Sequence, residues 1–127
     1  MTAAMARREA KAREVENLLT LTELHRELWN GISKRPELKR IFQADANVLK
    51  KPITVAESEF LNLAFVHFQT GWTVARSGAL ISLSDLKADV REFFALPLPR
   101  SVWENTKTFR NPEFARFVNK SLSINHH

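Results

Sequence analysis

The chain contains no cysteine and no tyrosine, and only three glycines. Without thiols it cannot build a disulfide scaffold, a zinc ribbon, an iron–sulfur site or a cysteine nucleophile. The missing tyrosines remove one acid–base candidate. No apolar run approaches the roughly 18–20 residues needed to cross a bilayer. The opening Met1–Arg13 is rich in Ala, Arg and Lys but has no apolar stretch of the kind a secretory signal needs. Catalytic and nucleotide motifs are missing too: there is no G-x-S-x-G, Walker loop, G-x-G-x-x-G, H-E-x-x-H or EF-hand loop. A di-iron bundle needs Glu three residues before His. Thr22 precedes His25 at that distance and Ala64 precedes His67, so that site is excluded.

What remains is ordinary globular material. The 127 residues are 44% hydrophobic and 26% charged, enough for one domain that buries about two-thirds of its unfolded surface. The net charge is +5, with the basic excess spread over both halves rather than gathered into one stripe. Such a balance favours solubility and weak attraction to anionic surfaces.

Three glycines (Gly31, Gly71, Gly78) and five prolines (Pro36, Pro52, Pro97, Pro99, Pro112) punctuate the chain. Between them the apolar period is helical, and no strand is expected. A first helix is expected over Ala3–Ile32, with a stripe of Val15, Leu18, Leu21, His25, Leu28 and Ile32, ended by Gly31 and Pro36. Its opening part has good helix propensity but nothing large to bury, so it should project or meet a partner. A short second helix begins at Pro36 and buries Leu38, Ile41 and Phe42; Ala44–Lys51 is a linker. The third helix opens with the T-x-x-E capping box Thr54/Glu57 and runs to about Ser77. Leu61, Phe65, Phe68, Trp72 and Ala75 form one row, and Phe60, Ala64, His67, Gly71 and Val74 a second. An apolar surface this broad belongs at the centre of a domain, wrapped on nearly every side. Gly71, Ala75 and Ala79 offer small residues for a close helix approach, and Gly78 suits a C-cap.

Ser82 and Asp85 open a fourth helix that buries Leu86, Val90, Phe93 and Phe94 and is broken by Leu96-Pro97-Leu98-Pro99. A fifth begins near Pro99 and carries Val102 and Trp103. A sixth has Asn111 as N-cap and Pro112 at its first position, and buries Phe114, Phe117 and Val118. Arg35–Phe42 echoes Asn111–Val118, as any two short helices with Pro and Glu in the first turn would.

Four groups of residues bear on function. His25 and His67 become neighbours if the two long helices pack together, either as a hydrogen-bonded pair at the core boundary or, with Arg76, as part of a pocket. Two histidines without further carboxylates or thiols are a poor metal set; no metal or cofactor is expected, and the terminal His126-His127, which resemble a trimmed purification tag, join no metal set. Glu23 and Glu27 lie on one face of the first helix and are expected to be solvated. The aromatics, Trp103 included, are expected in the core rather than stacked on nucleic acid. The C-terminal part, with Arg100, Lys107, Arg110, Arg116 and Lys120, is the most basic part of the body and the expected surface for an anionic partner.

Several motifs taken together resemble a loose group of uncharacterised bacterial all-helical domains. They are Leu24-His25-Arg26-Glu27-Leu28-Trp29, Arg35-Pro36-Glu37-Leu38, the long aromatic helix ending at Gly78, Arg91-Glu92-Phe93-Phe94-Ala95-Leu96-Pro97, Val102-Trp103-Glu104 and Asn111–Val118. The resemblance spans about residues 15–120 and rests on packing and capping residues. It implies an all-helical domain, often behind an N-terminal membrane helix, and brings no activity. The 127 residues show no such helix, so the expectation is either that it lies upstream of Met1 or that this member is soluble.

The expectation is therefore an all-α bundle of two long antiparallel helices and about four short ones. Residues 1–14 form a basic helical extension, 15–121 the domain and 122–127 a tail. The expected role is a non-enzymatic interaction or regulatory module, cytoplasmic or at the cytoplasmic face of a membrane. It would engage a protein partner or a second copy, and an anionic membrane surface is a further candidate. The alternatives are a nucleic-acid binder using the C-terminal helices and a small-ligand or enzymatic domain with a pocket near His25 and His67.

Overall fold

Thr54 starts the central helix as its sequence requires. Its Oγ1 accepts the Glu57 N–H at 3.1 Å, and a Glu57 carboxylate oxygen accepts the Thr54 N–H at 2.9 Å. This closed box satisfies two N–H groups that no helical carbonyl reaches. The computed structural model describes residues 2–77 and 82–123, in which every regular element is helical. In chain order these are α1 (Ala3–Ser33), a 3₁₀ segment (Pro36–Phe42), α2 (Val55–Arg76), α3 (Leu83–Phe94), α4 (Pro97–Thr106), a 3₁₀ turn (Lys107–Phe109) and α5 (Pro112–Ser123). The fold is all-α.

α2 buries the whole of the first expected row, Leu61, Phe65, Phe68, Trp72 and Ala75, and Phe60, Ala64 and Gly71 of the second; His67 and Val74, expected in that second row, are only half-buried at its edge. It is not wrapped on nearly every side. Leu63 and Val66 are 63% and 56% exposed, and with Glu59, Thr70 and Thr73 they mark an open stripe. The other described helices pack against the buried rows, and none among the described residues covers this stripe. At Gly71, the first of the expected small residues, no neighbouring backbone comes close. A Cβ built on Gly71 would meet only the Leu86 side chain, at 3.8 Å. Ala79 and Gly78 lie outside the described residues.

α1 packs antiparallel to α2, since Trp29 meets Phe60 and His25 meets His67. Of its expected stripe only Leu21 is buried. Leu18, Leu28 and Ile32 are half-buried, while Val15 and His25 are exposed. Ala3–Arg13 is exposed throughout. Gly31 does not end α1. It sits inside the helix, whose last carbonyls at Gly31 and Ile32 take the Lys34 N–H; the stop comes with Pro36, which cannot continue the hydrogen-bond ladder.

The second element is a 3₁₀ rather than an α-helix. Three residues per turn put Leu38 and Ile41 on one line into the core. Phe42 is thereby rotated away and stays 41% exposed, against the expectation that it is buried. The echo with Asn111–Val118 thus ends at sequence level, because α5 uses the α-helical spacing of Phe114 and Val118. α4 begins at Pro97, two residues earlier than expected. Both prolines fall in its first turn, where the missing N–H groups would have had no helical acceptor, and the Arg100 N–H closes that turn on the Leu96 carbonyl at 2.9 Å. Asn111 caps α5 by accepting the Glu113 and Phe114 N–H groups. The helix carries Leu122 and Ser123, which were expected in a tail; residues 124–127, with His126 and His127, lie outside the described residues.

The core is an aromatic chain. Phe65 stacks on Phe94 with centroids 4.9 Å apart, and Trp103 stands edge-on to Phe65, Phe94 and Phe114 at 5.5, 5.1 and 5.8 Å. Trp103 is fully buried, which settles its use as packing, and its indole N–H reaches Asn119 Oδ1 at 3.4 Å. Edge-to-face pairs of this kind add about 1 kcal/mol each beyond area burial.

Candidate functional site

The two histidines are where the helical periods of α1 and α2 put them once the helices run antiparallel. Their nitrogens, His25 Nδ1 and His67 Nε2, are 2.9 Å apart, and the rings lie 5.0 Å apart between centroids. One turn along α1, the Trp29 indole N–H donates to the same His25 Nδ1 at 2.9 Å. An indole nitrogen can only donate. His25 Nδ1 is therefore bare, its proton sits on Nε2, and in the neutral pair the His67 Nε2 hydrogen points at His25. Burial lowers the pKa of His25, with the nearby Asp89 charge pulling the other way. Burial lowers that of His67 as well, helped by His25. Both shifts favour the neutral ring.

Around this pair lies a cleft. α1 forms one wall with Leu18, Leu21, Thr22, His25 and Trp29; α2 forms the floor with His67, Phe68 and Gly71; α3 forms the other wall with Leu86, Asp89, Glu92 and Phe93. It has two compartments of about 230 and 460 Å³ that share His25, Phe68 and Asp89. Phe42, displaced from the core by the 3₁₀ geometry, stands at the wider one, 5.6 Å from Trp29 and 6.0 Å from Phe93. Pairing of the histidines is visible from the helical spacing. The contribution of α3 is not, because Asp89 and Glu92 sit in a sequence that looks like any solvated helix face.

Arg76 does not join this cleft. Its guanidinium lies 4.4 Å from the Trp72 ring centroid and pairs with Glu113 at 2.6 Å, across the body. No group of three His, Asp or Glu side chains close enough to hold a metal occurs among the described residues. Glu23 and Glu27 are exposed, as expected of a solvated face.

The five basic residues of the C-terminal part divide. Arg110 turns inward: it lies 4.8 Å from the Phe65 ring centroid, donates to Thr106 and Asn62, and has its pKa lowered by burial. Lys107 is paired with Glu104 at 2.7 Å. Arg100, Arg116 and Lys120 are exposed. The surface they leave is thinner than the sequence suggests.

No family model matches the chain, and no curated protein and no solved structure is significantly similar to it. No helix among the described residues is long and apolar enough to cross a membrane.

Proposed function

We propose that this chain is a non-enzymatic interaction module that pairs with a second copy of itself through α1. The carrying observation is that α1 runs for 31 residues and, among its described side chains, buries only Leu21. Helices in proteins owe most of their stability to packing of one face, and α1 packs along barely half its length. Its open part presents Met5, Val15 and Leu19, the last 64% exposed, at steps compatible with a helix–helix seam.

Charge selects the partner and its direction. Arg7, Arg8, Lys11 and Arg13 are offset by one acidic residue, Glu9, in the opening segment; Glu16, Glu23 and Glu27 are offset only by Arg26 in the next. Two such helices laid antiparallel set each basic half against an acidic half. Laid parallel, they set like against like.

Sedimentation equilibrium over a concentration series tests this. A dimer that weakens with salt is expected. Arg7→Glu with Arg13→Glu should return it to monomer, and adding Glu16→Arg with Glu23→Arg in the same chain should restore the dimer. A protein that stays monomeric throughout, or a dimer indifferent to both sets of changes, overturns the reading.

A further inference from the structure

The cleft between α1 and α3 lies on the packed side of α1, beyond the exposed stretch Ala3–Arg13, and has its own chemistry. Its lining is overwhelmingly apolar: Leu18, Leu21, Phe68 and Leu86 in the narrower compartment, Trp29, Phe42, Phe93 and Leu96 in the wider. Apolar concavities with a few convergent polar groups are the usual form of small-ligand sites. The charged groups that line it are of one sign. Asp89 and Glu92 both line the wider compartment, and neither makes an ion pair among the described residues. The remaining titratable groups at the cleft are His25 and His67, whose pKa values burial lowers, so that neither brings a settled positive charge.

We propose that this cleft binds an amphipathic organic cation, an amine or quaternary ammonium carried on an apolar chain or ring. The two compartments divide the work. The narrower one accepts the apolar part against leucine and Phe68. The wider one offers what a cationic head needs: two carboxylates on α3, and the rings of Trp29, Phe42 and Phe93, whose negative faces attract cations. An anionic head would meet Asp89 and Glu92 with no cation in the lining to offset them. A neutral alcohol would gain the apolar contacts alone. The choice of an organic over an inorganic cation follows from the same lining, because two carboxylates on an apolar wall do not complete an inorganic ion's coordination.

The test titrates the full chain with octyltrimethylammonium, octyl sulfate and octanol below their micelle concentrations, followed by calorimetry and by tryptophan fluorescence. Trp72 and Trp103 are buried away from the cleft, so a fluorescence change that disappears in Trp29→Phe reports on this site. The cation should bind about tenfold more tightly than the sulfate. Asp89→Asn with Glu92→Gln should remove that preference while leaving octanol unchanged. Both side chains are exposed, so the fold survives the change, which circular dichroism verifies; the single Asp89→Asn variant provides a second, milder reading. Equal affinity for cation and sulfate, a preference for the sulfate, a preference that persists in the double variant, or no binding of any of the three overturns the proposal.

Discussion

Arg40 and Glu57 meet in a two-pronged ion pair, Nη2 to Oε1 at 2.7 Å and Nε to Oε2 at 3.1 Å. Glu57 is only 2% exposed. The same guanidinium donates to the Lys51 and Pro52 carbonyls, and the same carboxylate closes the Thr54 capping box. One contact thus ties the 3₁₀ segment, the linker and the start of α2 together.

Glu57→Ala should cost about 3 kcal/mol in urea unfolding, because it strands a largely buried guanidinium and opens the cap. Burial by itself would raise the Glu57 pKa, but the Arg40 and Thr54 hydrogen bonds and the Arg40 charge outweigh it and hold the group below its ordinary 4.5. A depressed carboxylate pKa gives stability that is complete above the unfolded value and drains away as pH falls through the folded one. The acid limb of the stability curve below about pH 4.5 should therefore shrink in Glu57→Gln. An unchanged acid limb would contradict the assignment.

The histidine pair makes stability depend on pH in a second window. The unfolded rings titrate near 6.5, and both folded pKa values lie lower. Between those values the unfolded chain binds more protons, so stability is full above about pH 6.5 and declines as pH falls, levelling once the folded rings have titrated. Asp89→Asn removes the charge that supports protonated His25 and should push that ring's midpoint lower still. Imidazole chemical shifts followed through a pH titration give both midpoints; values at or above 6.5 would defeat the account.

Arg110 contributes a plane as well as a charge. Replacing it with Lys keeps the charge but loses the flat contact with Phe65 and the forked donation to Thr106. A loss of about 1–2 kcal/mol is expected for Arg110→Lys, measured by chemical denaturation. Arg116→Lys, on the exposed face of α5, is expected to be neutral, so equal effects at the two positions would show that Arg110 is not held as described.

Gly71 is a helical glycine with room beside it. The nearest atom to an added Cβ is Leu86 Cδ1 at 3.8 Å, ordinary contact. Gly71→Ala should therefore raise stability by about 0.5–1 kcal/mol, the backbone entropy that glycine forfeits in a helix. A fall in the thermal midpoint would mean that the α2–α3 contact is tighter than this spacing.

Local rules determined most of the secondary structure. The capping box at Thr54 and Glu57, the Asn111-Pro112 start and the aromatic rows of α2 each encode their own element within a few residues, because caps and helical periods act over one or two turns. The antiparallel meeting of His25 and His67 followed from the same periods. Tertiary packing decided what those rules could not reach. Phe42 faces the cleft because a 3₁₀ turn satisfied Leu38 and Ile41 first. Arg110 went inward and Arg76 outward, although as isolated basic residues they look alike. Asp89 and Glu92 acquired a cleft to face only because α3 came to rest opposite α1. Which side of a helix is left open depends on how many neighbours the chain has to cover it, and that is a property of the whole packed body, not of any single turn.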